Sequence, residues 1–345
     1  MEGLRSQGRG QVLIIRHGEV GEVLAGRELE LIDLVRDLYL LHDRGGSVLP
    51  HSVFLRFPGN SSDRAIALPA YLGGGDAAFG LKWISSFPGN LERGMDRASS
   101  VIILNSLATG HPEALIEASL ISAKRTAASA ALAAGLLAGD PAGITLIGCG
   151  VINFEVLRFV AARLPSVLRA TVVDRLPERA TAFARRVART LPGVAARVGA
   201  DRAAALAEHG LVSIATTAAS PHMDLTDCPA GTTVLHISLR DLTAETILAS
   251  QNVVDDADHV CREQTSLHLA EQITGGRAFI GASIGALLSG NVTLQRDPAA
   301  NVIFSPFGLG ILDLAVARLV CAEAVRRDDG IRVTDFIPAR ADVGA

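Results

Sequence analysis

The stretch ITLIGCGVINFEVLRFV, residues 144–160, decides how this chain is read. An apolar run ends on Gly148-Cys149-Gly150 and passes directly into an amphipathic segment, the pattern of a strand, a tight turn and a helix. The first glycine permits the turn. The second lets the backbone approach a pyrophosphate, which rests on the partial positive charge of the helix N-terminus. Gly148, Cys149, Gly150, Val151, Ile152 and Asn153 are therefore the residues expected against a dinucleotide. Asn153 stands where the fingerprint has its third glycine, a departure expected to weaken close packing of helix on sheet.

Working outward, the next apolar run ends at Asp174, 21 residues after Asn153, where a carboxylate accepts hydrogen bonds from an adenosine ribose. A carboxylate there repels a 2′-phosphate, so NAD is the expected cofactor, while the adjacent Arg175 leaves NADP open. A further run, LVSIATTAASP, places Thr216, Thr217 and Ala218 at a strand C-terminus, the edge at which such sheets hold ligands. Apolar runs alternate with helical stretches through this half of the chain, as in a parallel, doubly wound α/β sheet.

The N-terminal part reads differently. GRELELIDLVRDLYLLH repeats Leu31, Leu34, Val35 and Leu38 at helical spacing, and residues 47–107 hold short β-type runs separated by Gly, Pro and Asn, an antiparallel meander. An Ala-rich helix follows and stops at Gly139 and Pro141. With 345 residues, two cores are expected. The expected division is a second α+β domain from 1–128 and 305–345 and a Rossmann domain over 129–304. Side chains are 49% hydrophobic but only 4% aromatic, which suits helices packed on a sheet better than a β-sandwich.

A net charge of −4 offers no field for nucleic acid or an anionic membrane, so neither is expected as a partner. The four cysteines show no metal-ligand or disulfide spacing, and the polar start MEGLRSQGRG leads into an apolar run too short for a signal segment or membrane span. A cytoplasmic protein with no metal is expected. Asp255, Asp256, Asp258, His259 and Cys261 crowd together, but in no standard zinc or calcium spacing. His236, inside a strand run, reads as a packed core residue.

Only two of the 32 cationic side chains are lysine, Lys82 and Lys124, and Lys82 lies inside the apolar run GLKWISSFPGN. That run, TGHPEALIEASLISAKRTAASAALAA with Arg125, GCG and HISLRDL with Asp241, resembles the ornithine cyclodeaminase and μ-crystallin family over nearly the whole chain. HSVFLRFPGN, GLKWISSFPGN and QTSLHLAEQ are most similar to its 2,3-diaminopropionate branch. The resemblance implies a homodimer, a substrate and dimerisation domain completed by the C-terminal helix, and an NAD-binding domain between. It implies that Lys82 contacts and Arg125 clamps a substrate carboxylate, that Arg56 is a second substrate-side cation, and that Asp241 is the acid–base carboxylate. Asp241 is expected to have a pKa raised by partial burial. Thr126, Ser238, Leu239 and Gly308 join the expected cofactor-binding set.

Two departures narrow the substrate. Arg97 replaces a threonine usual in cyclodeaminases, and Ala65, Ile66 and Ala67 stand where an ornithine-using relative is expected to carry an acid. A gained cation and a lost anion favour a carboxylate-rich amino-acid conjugate such as N-(1-amino-1-carboxy-2-ethyl)-glutamate. An ornithine or lysine cyclodeaminase, an imine reductase and a non-catalytic crystallin-like dinucleotide binder remain as alternatives.

Overall fold

A computed structural model describes residues 10–337. The polar leader before Gly10 and the last residues of the C-terminal segment lie outside the described residues. The chain divides into two compact units: one takes residues up to Arg27, Gly45–Ser122 and the chain from Leu309 onward, the other Glu28–Arg44 and Ala123–Gly308.

The first unit is built on β1 (Val12–Ile15), β2 (Ser47–Val48), β3 (Val53–Phe57), β4 (Asn60–Leu72), β5 (Ala78–Ser86), β6 (Ala98–Asn105) and β7 (Pro112–Glu117). The second carries β8 (Gly143–Ile147), β9 (Arg169–Val173), β10 (Ala195–Val198), β11 (Leu211–Ile214), β12 (Thr233–His236), β13 (Gln251–Val254), β14 (Ile280–Ser283) and β15 (Val302–Ser305). The last strand, β16 (Ile331–Val333), returns to the first sheet.

In the first sheet the order is β16-β1-β7-β6-β5-β4-β2, with β3 also on β4; β3 to β6 form the antiparallel meander expected over residues 47–107, and β7 extends it by one more antiparallel strand. Antiparallel partners share a face, so register fixes which side chains meet. Arg64, Ile66 and Leu68 of β4 lie opposite Ser86, Ile84 and Lys82 of β5, and these six share one face with Arg56 of β3. The helix Gly310–Arg327 covers part of that face. Gly80 and Gly310 make the approach close: a Cβ on Gly80 would lie 3.3 Å from Leu314, and one on Gly310 3.1 Å from the Ala70 Cβ.

In the second sheet every pairing is parallel, in the order β10-β9-β8-β11-β12-β15-β13-β14. Strands β8, β11, β12 and β15 are buried along their whole length, as expected where helices cover both faces. From β8 the sheet continues outward through β9 and β10, and from β11 the other way through β12, β15, β13 and β14, so the loops after β8 and β11 flank a topological switch point.

The helix Glu28–Asp43 buries Leu31, Ile32, Val35, Leu38 and Tyr39. Residues 28–44 were expected with the N-terminal domain, but they cluster with the second unit. The reason is specific contact: the Tyr39 hydroxyl donates to Ser129 Oγ at 2.9 Å, Glu28 pairs with Arg158, and Gly285 is so near that a Cβ would lie 2.8 Å from the Tyr39 carbonyl oxygen.

Asn153 overturns the expectation of weakened packing. Its fully buried amide donates to the carbonyls of Ile147 at 2.9 Å and Gly148 at 2.7 Å, and its carbonyl accepts from Ser213 Oγ at 2.7 Å. The side chain ties the helix Val151–Arg163 to β8 and β11, replacing close approach with three hydrogen bonds. Lys124 is likewise structural: its ammonium sits 3.1 Å from Glu155, with both side chains buried, and 5.7 Å from the centre of the Phe159 ring.

Replacing Asn153 with Gly restores the fingerprint yet is expected to destabilise the protein by about 2–4 kcal/mol in urea titration, because Ser213 loses a buried partner. Glu155→Ala should cost about 3–5 kcal/mol by stranding a buried ammonium, and Lys124→Met with Glu155→Leu should recover most of it. A single Glu155→Ala variant as stable as the parent would refute the structural role.

Candidate active site

In the second unit, Gly148 has φ +93° and its missing Cβ would be driven into the Ala215 carbonyl, so only glycine makes this turn. Gly150 is the extended residue before the helix Val151–Arg163, and space is open where its Cβ would stand. The first-turn amides of that helix have no partners within the helix and face outward for an anion. Asp174, one residue beyond β9, accepts from the Cys149 amide at 2.8 Å and the Leu176 amide at 3.0 Å, with Arg179 3.7 Å away. The carboxylate braces the glycine turn. Arg175 is exposed beside it. Burial pushes the Cys149 thiol up to about 12, so it is an inert part of the turn. Bare backbone at Gly150, a helix start and a carboxylate beyond the neighbouring strand together fit a dinucleotide without a 2′-phosphate.

The loops after β11 and β12 converge on Asp241. Its carboxylate is fully buried and accepts hydrogen bonds from the hydroxyls of Thr216 and Ser238; the imidazoles of His222 and His236 lie 3.2 Å and 3.6 Å away. Thr216 also accepts from the Ala218 amide at 3.0 Å, and its own amide donates to Ser238 at 3.1 Å. Thr217 is exposed beside them. Leu239 is held at φ +67°, a conformation uncommon for a branched side chain. Its carbonyl accepts from the Ser266 amide at 2.7 Å.

The expected raised pKa of Asp241 is therefore corrected. Burial pushes it up, but the hydrogen bonds from His236, Ser238 and Thr216 outweigh that and hold the carboxyl well below the usual range. Such an anion is a weak proton acceptor and a strong orienting group. His236 is a packed core residue, as read from the sequence, yet it also braces Asp241. His222 was missed: on the loop after β11 its imidazole is exposed on one side and hydrogen-bonded to a buried carboxylate on the other, the geometry of a positioned acid–base residue. Its place one residue after the Thr-Ala-Ala-Ser-Pro stretch was the available signal.

Arg125, buried on the helix Ser119–Leu137, lies against Gly308, whose Cβ would come within 2.6 Å of the guanidinium. Gly308 itself has φ +95°, and its amide donates at 2.7 Å to Asp255, which also takes the Phe307 amide at 2.9 Å. Asp256 caps the helix Ala257–Val260, Asp258 pairs with Arg277, and no three metal-binding side chains gather among the described residues. Thr126 follows Arg125 on the same helix.

In the first unit, Lys82 is 2% exposed, and its ammonium lies 2.7 Å from Asp313, which is 0% exposed, and 3.4 Å from Ser122 Oγ. Asp313 was also missed, although an acid in the apolar run GLGILDLAV was a visible anomaly. It lies in the first helical turn, where the helix dipole favours a carboxylate. Arg97 donates to Ser86 Oγ at 2.7 Å, and Arg56 lies over the Phe54 ring at 5.7 Å. Among Ala65, Ile66 and Ala67, register puts Ile66 on the face of Lys82 and the two alanines on the other.

The profile of the ornithine cyclodeaminase/mu-crystallin family matches residues 31–328. The chain is 28% identical over 327 residues to the N-((2S)-2-amino-2-carboxyethyl)-L-glutamate dehydrogenase of Staphylococcus aureus, covering 93% of this chain and 97% of that protein. An archaeal alanine dehydrogenase, solved as a dimer with bound NAD, is 25% identical with a TM-score of 0.84, over 94% of this chain and 100% of that one. The Δ1-pyrroline-2-carboxylate reductase of Thermococcus litoralis, solved with NADH and L-proline, is 24% identical and shares the fold at a TM-score of 0.86, over 93% and 100%. No helix among the described residues is long and apolar enough to cross a membrane. A profile match across most of its length establishes that the chain belongs to the ornithine cyclodeaminase/mu-crystallin family.

Proposed function

We propose that the protein is an NAD-dependent oxidoreductase that oxidatively hydrolyses N-(1-amino-1-carboxy-2-ethyl)-glutamate to 2,3-diaminopropionate and 2-oxoglutarate. The observation that carries this reading is the sheet face bearing Lys82. It presents Lys82 and Arg56, receives Arg97 through Ser86, and has Ile66 where an acid would favour a second substrate ammonium. Cations gained and an anion lost select carboxylates. The similarity to the staphylococcal dehydrogenase supports the same substrate class.

Gly148, Gly150 and Asp174 would hold NAD, which would supply a two-electron oxidation of the glutamyl Cα–N bond to an imine that water can cleave. Asp174 holds the turn and receives the ribose. Lys82, 2.7 Å from Asp313, together with Arg125, Arg97 and Arg56 offers the cations that fix the carboxylates and so the orientation of the reacting C–H bond. Water addition to the imine requires a proton acceptor. His222 takes that proton at its outer nitrogen, while Asp241 orients the imidazole and steadies the cation that forms. We further propose that the enzyme is a cytoplasmic homodimer, and that 2,3-diaminopropionate feeds siderophore or peptide-antibiotic assembly. The archaeal dimer and four free thiols support the first of these.

The reaction is tested by mass spectrometry of products formed from NAD and the tricarboxylate conjugate: one NADH should accompany each 2-oxoglutarate, and ornithine converted to proline without net NADH would refute the reading. Asp241→Asn and His222→Gln should each lower kcat about 100-fold with NAD affinity unchanged, and the double variant should fall no further, as for groups acting as a unit. A His222→Gln enzyme with parental kcat would return the proton step to another group. Gly308→Ala, which forces a Cβ onto the Arg125 guanidinium, should raise KM about tenfold with a much smaller effect on kcat in steady-state kinetics.

A further inference from the structure

Asp255 is a buried carboxylate, 2% exposed, that takes no part in the proposed reaction. It stands one residue beyond β13 and accepts from three backbone amides: Phe307 and Asp256, each at 2.9 Å, on Oδ1, and Gly308 at 2.7 Å on Oδ2. Strands β13 and β15 are parallel partners with Val254 opposite Ser305, so the two segments leave the sheet side by side and Asp255 meets the turn that follows β15. Its own backbone is fixed on both sides, by the β13 ladder before it and by Asp256 after it, which caps the helix Ala257–Val260 and lies 3.1 Å from His42 Nε2. In the turn that Asp255 grips, Gly308 takes φ +95° and lies so near Arg125 that a Cβ would come within 2.6 Å of the guanidinium. The main chain of Arg125 is tied as well: its carbonyl accepts from Ser129 Oγ at 3.1 Å, and Ser129 accepts from the Tyr39 hydroxyl at 2.9 Å.

Burial pushes the Asp255 carboxyl above its ordinary range even though three amides oppose the shift, so the folded protein holds this anion at a cost in stability. What the anion adds over a neutral acceptor is its second oxygen. With one oxygen on the Phe307 amide and the other on the Gly308 amide, a single planar group fixes two successive peptide units. We infer that Asp255 is a positioning residue for Arg125: it locks the Phe307–Gly308 turn, and that turn is a wall on which the guanidinium is aimed. A guanidinium fork takes a carboxylate with two N–H groups only when its direction is held closely, so a wall that yields weakens substrate binding more than chemistry. The assignment rests on the proposed role of Arg125 as carboxylate clamp and adds to it the residue that sets its direction.

Asp255→Asn in the full-length chain tests this without emptying the space. Its carbonyl replaces Oδ1 on the Phe307 and Asp256 amides, which turns the side-chain NH2, a donor, toward the Gly308 N–H and releases that one bond. KM for the conjugate should rise about tenfold with kcat within about threefold, while NAD affinity and the urea midpoint stay parental, because a neutral amide replaces a disfavoured anion. In an Arg125→Gln background the same substitution should change KM by less than about twofold, since no guanidinium is left to aim. Phenylglyoxal labelling with peptide mass mapping reads Arg125 without any substrate: its modification should be several-fold faster in Asp255→Asn, with the other arginines unchanged. Equal labelling of Arg125 in parent and variant overturns the assignment, and so does a KM effect that persists undiminished in Arg125→Gln. A variant that labels faster at every arginine, or loses NAD affinity in equal measure, also overturns it, because the damage is then general. If Arg125 labelling depends on Asp255 but the parent does not turn over the conjugate, the proposed reaction fails and the positioning role stands.

Discussion

The second unit is organised around a buried carboxylate that has no freedom to be anything but an anion. Asp241 is surrounded by Thr216 and Ser238 hydroxyls and by the His222 and His236 imidazoles, so the loops after β11 and β12 are tied to one point. Removing water from a carboxylate is costly unless hydrogen bonds replace it. Here they more than replace it, and the result is a fixed negative charge beside the switch point of the sheet. That constraint explains the left-handed Leu239 as well, since the chain must double back within a few residues to present both Ser238 and Asp241.

Both lysines obey a related rule. Lys82 and Lys124 are buried, and each ammonium is matched by a carboxylate from a different element, Asp313 for the first and Glu155 for the second. Their roles nonetheless diverge. Lys124 joins two helices of the sheet's packing layer, alongside Phe159 and the Arg158–Glu28 pair. Lys82 projects from a sheet face that also carries arginines. A buried ion pair contributes little net stability compared with apolar packing, but it fixes the state and direction of a charge. In the proposed function, that fixed direction is what offers Lys82 to a substrate carboxylate.

The legible parts of the sequence were those governed by local rules. Gly148 announced a turn because no other residue makes it, and the meander from β3 to β6 followed from short β-type runs punctuated by turn residues. The Lys82, Arg125 and Asp241 positions came from resemblance rather than from spacing. His222 and Asp313 were not found, since local sequence shows an oddity at most and not the partner that gives each its role. They gain meaning from partners 19 and 231 residues away. Asn153 was misread for the same reason: a missing glycine is a defect only until Ser213, 60 residues on, is seen to complete its hydrogen bonds.

The sequence by itself determined the parallel sheet, its dinucleotide turn and the alternation that orders its strands, because periodicity and glycine sterics act over a few residues. Only tertiary structure decided that residues 28–44 belong with that sheet, through Tyr39, Glu28 and the close approach at Gly285. It also decided the charge state of Asp241, which composition cannot reveal. Burial alone would raise that pKa, and the opposite outcome depends on hydrogen-bond donors brought together from separate stretches of chain.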